Sequence, residues 1–128
     1  MPGTATMHIG EVADRAGLSL RTVRYYEEQG LFEPAGRTTG GFRLYTQAEV
    51  DRLLVIKQMK PLGFTVEQMR DLLTARAEAT HPDDDRRRDA EQQLAAFARD
   101  AAERCEKLRE QLELAEAFAS SLAESPRP

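Results

Sequence analysis

A chain of 128 residues has room for one ordinary domain, or for a small domain with an appendage. With 41% hydrophobic and 31% charged residues it reads as soluble, and no apolar run approaches the roughly 20 residues that a membrane span needs. A single cysteine, Cys105, cannot close an internal disulfide, which suits a reducing cytoplasm. The formal charge of −4 hides a split: residues 15–60 hold eight Lys/Arg against five Asp/Glu, whereas residues 83–128 hold eight against twelve. The acidic total therefore does not exclude a nucleic-acid partner.

Residues 1–7 lack the apolar core of a secretory signal and are expected to form a loose tail. In "HIGEVADRAGLS", Ile9, Val12, Ala13 and Ala16 give the stripe of a short helix, and Gly17 is placed to stop it. Ser19 is the expected N-cap of a second helix, "LRTVRYYEEQG", closed by Gly30. Two short helices joined by a tight glycine-containing turn make a helix-turn-helix candidate. Gly40-Gly41, followed by Phe42 and Leu44 alternating with Arg43 and Tyr45, predicts a hairpin, that is, a wing. Thr46 with Glu49, and Thr65 with Gln68, are capping-box pairs opening a third and a fourth helix. The third is expected to turn Val50, Leu53, Leu54, Ile56 and Met59 inward, and to end at Pro61 and Gly63; the fourth is expected to bury Val66, Met69, Leu72 and Leu73. These elements define a domain over 8–80.

"THPDDDRRRDA" marks the boundary. Pro82 fits the first turn of a helix, with Asp83, Asp84 and Asp85 near its positive end. From there to Leu122 there is no Gly or Pro, which predicts a helix over 82–122 about 60 Å long. Its apolar positions Ala90, Leu94, Phe97, Ala101, Cys105, Leu108, Leu112, Ala115, Ala119 and Leu122 recur in steps of three and four, with one extra residue near Ala101. A narrow seam on so long a helix has nothing in its own chain large enough to cover it, and a coiled-coil dimer is expected, with a disordered tail over 123–128.

Arg21, Arg24, Tyr25 and Glu28 share one face of the second helix, while Val23 and Tyr26 share another. Of the adjacent tyrosines, Tyr26 is thus expected to face the core and Tyr25 to face outward beside two arginines. Guanidinium groups can pair with phosphate or with the guanine edge, and a phenol can reach phosphate. Arg37, Arg43 and Tyr45 repeat this chemistry on the wing, and Lys57 and Lys60 add charge near the end of the third helix.

The segments "IGEVADRAGLSLRTVRYYEEQGL", "GGFRLYT" and "LGFTVEQMRDLL", in this order and spacing, resemble the MerR family of bacterial transcriptional regulators. The resemblance covers about 9–73, and the helix over 83–122 matches the family's dimerisation helix in position. It implies a mainly α fold, a winged helix-turn-helix followed by an antiparallel coiled coil. It also implies a homodimer on a palindromic promoter with an over-long spacer, whose DNA is bent and untwisted so that RNA polymerase engages both elements. Carried over by position, Arg21, Thr22, Arg24 and Tyr25 are recognition-helix contacts; Arg37, Phe42, Arg43 and Tyr45 are wing contacts; Lys60 belongs to a second wing. Leu94, Phe97, Ala101, Cys105, Leu108, Leu112, Ala115 and Leu122 are the implied dimer residues.

No cofactor and no metal is expected. Cys105 reads as a small hydrophobe in the seam, and His81 beside Asp83–Asp85 reads as a solvated helix start. The two histidines lie far apart, with no triad and no phosphate-cradling glycine motif, so an enzyme is not expected. The alternatives to a promoter-binding regulator are a DNA-architectural or recombination-accessory factor, and a coiled-coil adaptor.

Overall fold

Each helix begins and ends where a specific side chain or glycine satisfies its free backbone groups. The computed structural model of the chain describes residues 5–124. Helix α1 (Ile9–Ala16) closes at Gly17, whose φ of +66° lets the chain reverse, with Gly17 N–H on Asp14 O and Leu18 N–H on Ala13 O. Lys57 also donates to the carbonyls of Ala16 and Gly17, at 3.1 and 3.4 Å. That ammonium therefore caps α1 and is not one of the free cations, which corrects the sequence expectation for Lys57.

Helix α2 (Leu20–Glu28) starts at Ser19, whose hydroxyl accepts from Thr22 N–H at 3.0 Å. Strands β1 (Gly36–Arg37) and β2 (Arg43–Leu44) pair antiparallel, Gly36 opposite Leu44 and Arg37 opposite Arg43. The wing turn is a three-residue loop over 39–41 in which only Gly41 takes a positive φ, +84°. Met7 continues the ribbon by exchanging two 2.8 Å backbone bonds with Tyr45, and its side chain is buried. The expected loose tail over 1–7 is thus corrected at Met7. Residues 1–4, and the predicted tail beyond Glu124, lie outside the described residues.

Helix α3 (Gln47–Met59) opens with the Thr46 backbone N–H and hydroxyl both donating to the buried Glu49 carboxylate, at 2.6 and 2.8 Å. A 3-10 turn over Lys60–Leu62 follows, ending at Gly63 with φ +81°. Helix α4 (Val66–Glu78) has the reciprocal Thr65–Gln68 box predicted for it. Val12, Val23, Tyr26, Phe32, Tyr45, Val50, Leu53 and Ile56 form the centre of the core. Leu54, expected inside, is 37% exposed because it is one position past Leu53, about 100° around the helix.

Helix α5 (Asp84–Ala123) runs for 40 residues. Its cap is Asp83, which accepts from the amides of Asp85 and Arg86 at 2.9 and 3.1 Å; these amides hold its carboxyl below the usual range. Pro82 therefore precedes the cap and does not occupy the first turn as expected. An ion pair between Arg86 and Glu78 ties the start of α5 to the end of α4, and it too lowers the Glu78 carboxyl.

The seam of α5 divides in two, which corrects the expectation that its own chain leaves it bare. Ala90 is buried, Leu94, Phe97, Ala101 and Cys105 are half-buried, and Phe97 and Ala101 pack on the core. Helix α4 and the turn after α3 supply that cover. From Glu106 to Ala123 every residue is exposed, a bare helix of about 27 Å that carries Leu108, Leu112, Ala115 and Leu122. Leu114 and Phe118, absent from the predicted seam, add a second exposed apolar stripe about a quarter turn away. No described helix is long and apolar enough to cross a membrane.

Candidate nucleic-acid interface

The second helix sorts its side chains as its period requires. Val23 and Tyr26 are buried, Arg21, Arg24 and Glu28 are exposed, and Tyr25 is 48% exposed. Thr22 is half-buried and receives the Ser19 hydroxyl at 2.8 Å, so it forms part of the cap at the edge of this face. Neither Arg21 nor Arg24 forms an ion pair among the described residues. Exposed as they are, both guanidinium groups remain available to an anion.

The wing lies beside this face. His8, Ile9, Arg24, Arg37, Phe42, Arg43 and Tyr45 line a cleft of about 400 Å³ between α2 and the hairpin. Arg24 also lines the neighbouring cleft toward Glu33 and Pro34, and the one formed by Leu20, Arg21, Tyr25 and Glu28. It stands at the junction of helix and wing. At the hairpin turn Arg37 donates to Gly41 O at 3.1 Å, and Phe42 projects with 67% of its surface exposed.

Tyr45 departs from the sequence expectation. It is fully buried, its ring 5.9 Å from that of Phe32, and its hydroxyl donates to the Glu27 carboxylate, 3.0 and 3.1 Å from the two oxygens. Arg43, two residues earlier on the same strand face, reaches the same carboxylate at 3.5 Å. The Tyr45 side chain is thus a pillar between α2 and the wing and not an exposed wing contact. Burial pushes the phenol up to about 12, the Glu27 carboxylate adds to the rise, and Arg43 partly opposes it. The place of Glu27 under the wing depends on a separation of eighteen residues being closed in space, which no local pattern signals.

Tyr45→Phe leaves the nearly buried Glu27 carboxylate without its phenol donor and is expected to cost about 1–3 kcal/mol in urea unfolding. The folded phenol keeps its proton above the unfolded pKa of about 10. Its contribution is therefore complete below pH 10 and lost as the pH rises through 12. A 295 nm titration of the variant should lack a step near pH 12 that the parent shows; loss of a step near pH 10 would contradict the assignment.

Lys60 is exposed at the end of α3 and forms no ion pair among the described residues. Among the described residues no three His, Cys, Asp or Glu side chains are grouped as metal ligands.

Residues 7–76 match the family described as "MerR HTH family regulatory protein", and residues 50–124 match "MerR, DNA binding". The chain belongs to the MerR family. Its similarity to individual MerR-type proteins is concentrated in the helix-turn-helix half. The transcriptional regulator ZntR of Escherichia coli (strain K12) is 45% identical over 73 residues, 57% of this chain and 52% of ZntR. The mercuric resistance operon regulatory protein of Bacillus cereus is 49% identical over 65 residues, 51% of this chain and 49% of that protein. The chain thus spans about half the length of the curated relatives it matches. Among solved structures, HiNmlR, described as a MerR family regulator lacking the sensor domain and bound to promoter DNA, has a TM-score of 0.68 at 22% identity, covering 94% of this chain and 95% of that one. A MerR family regulator from Bacillus thuringiensis has a TM-score of 0.73 at 19% identity, over 94% and 99%. These two share the fold over nearly the whole chain, including α5.

Proposed function

We propose that this chain is a promoter-binding transcriptional regulator that works as a homodimer. The observation that carries the reading is the exposed Arg21, Arg24 and Tyr25 face of α2, set beside the Arg37 and Phe42 side of the wing with Arg24 at the junction. Helix α2 enters the major groove, where Arg21 and Arg24 meet phosphate or guanine edges and Tyr25 meets the backbone. Thr22 lies at the margin of that contact. The wing contributes Arg37, Arg43 and Phe42 to the flanking backbone and sugars, with Arg43 oriented by Glu27. Lys60 takes a further phosphate.

The exposed apolar residues of α5, Leu108, Leu112, Ala115 and Leu122, are covered by a second copy running antiparallel. Helix-to-helix pairing then fixes the separation of the two α2 helices and hence of the half-sites. Bending and untwisting a 20–30 bp site costs on the order of 1–6 kcal/mol, which a stiff dimer offsets with phosphate contacts at both ends. RNA polymerase is engaged through that altered DNA. That a MerR fold without a sensor domain, HiNmlR, is bound to promoter DNA supports the same use of this one.

In vitro transcription tests the reading. On its own operator placed in an over-long spacer, the protein should change the initiation rate several-fold, and shortening the spacer should remove that dependence. A specific shift of the operator with no change in initiation on either promoter would favour an architectural role.

A further inference from the structure

The turn that begins at Lys60 is bonded to a residue 44 places later in the chain, Arg104. Helical geometry continues through Lys60, whose φ and ψ are −59° and −48°. Lys60 is three residues beyond Lys57, so it lies on the same side of α3, one turn further along. Lys57 marks that side as the one facing the α1–α2 turn, since its ammonium is bonded to Ala16 and Gly17. The Lys60 backbone carbonyl closes the turn by accepting from Gly63 N–H at 2.9 Å.

The same turn is held by Arg104 of α5. Asp100 orients the guanidinium at 2.9 Å, one N–H donates to Leu62 O at 3.0 Å, and the group lies 3.9 Å from the centroid of the Phe64 ring. Phe64 in turn packs on Phe97 of α5, with ring centroids 6.1 Å apart. An ion pair, a backbone hydrogen bond and an aromatic face thus fix one planar group, which a lysine ammonium cannot reproduce.

We propose that Arg104 is a positioning residue for DNA binding: it locks the Lys60–Gly63 turn to α5, so that the long helix sets where Lys60 meets phosphate. This rests on the DNA-binding reading above. Any change in the setting of α5 would move Lys60 with it, and in a dimer both lysines.

A double-mutant cycle on the full chain tests this, with a duplex of its operator and fluorescence anisotropy at several salt concentrations. Lys60→Ala removes one phosphate contact per subunit; it should weaken binding about tenfold and reduce the salt slope by about two per dimer. Arg104→Ala should weaken binding by a similar factor, and the double variant should be no more than about twofold weaker than Lys60→Ala. Arg104→Lys, which keeps the charge, should behave like Arg104→Ala. Sedimentation and circular dichroism should report a folded dimer throughout. If Arg104→Ala does not fold, Asp100→Asn loosens the same guanidinium and should show a smaller loss that vanishes in the Lys60→Ala background. Multiplicative losses, full affinity in Arg104→Lys, or no loss in Arg104→Ala would overturn the proposal while leaving the DNA reading intact. A parent protein that binds no duplex would sink both.

Discussion

Replacing Arg24 and Tyr25 together by alanine is expected to abolish the shift of an operator duplex while leaving a folded dimer. Arg24 is exposed, forms no ion pair among the described residues, and borders both the wing cleft and the α2 face. An arginine on a base edge or phosphate is worth about 1–3 kcal/mol. A symmetric dimer loses it twice, which gives about 2–6 kcal/mol, or roughly thirtyfold to ten-thousandfold in affinity. The fold loses little. Tyr26 keeps the core position, and the Tyr25–Tyr26 ring contact, at 5.5 Å and 57°, is worth about 0.5–1.5 kcal/mol. Anisotropy measures the first effect and thermal unfolding the second. Unchanged affinity with an unchanged melting curve would remove α2 from the interface.

Leu112→Asp is expected to give a monomer. Leu112 is 57% exposed on the bare half of α5, beyond the part that α4 covers. A two-fold seam would bury two aspartates there, each costing several kcal/mol when unpaired. Sedimentation at micromolar concentration should show one chain. The unpartnered end of α5 should lose helical signal, since an isolated helix of this length is marginal in water. Operator affinity should fall by about a thousandfold or more, to the nonspecific range, because only one half-site is held. A variant that stays dimeric would place the dimer contact elsewhere on the chain.

The helical half of this organisation was legible in the sequence because period, caps and glycines all agree locally. The split of Tyr25 from Tyr26 follows from 100° per residue, and both threonine capping boxes form. Contacts between distant segments were not legible. Tyr45 was placed on the DNA face because it follows Arg43 on an alternating strand; its burial depends on Glu27, which closes from another element. The bridge from Met7 to Tyr45 has no sequence pattern of its own, being one residue pair outside any strand. The seam of α5 looked uniform because α4 and the long helix share the same apolar vocabulary; only packing shows that Phe97 faces its own chain and Leu112 does not. Lys57 and Lys60 looked alike, but one is spent on the α1 carbonyls and the other is free of ion pairs among the described residues. No local signal separates them: Lys57 lies in the last turn of α3 and Lys60 one turn further along the same side, so only the approach of the α1 carbonyls tells them apart.

Two copies joined through α5 are expected to present two α2 helices to one duplex. Sedimentation equilibrium of the protein with a labelled duplex recovered by genome-wide pull-down measures it in one experiment. The expected result is two chains per duplex at saturation, and a palindromic footprint whose half-sites face the same side of the helix. One chain per duplex, or a free protein that is monomeric well above the binding constant, would contradict it.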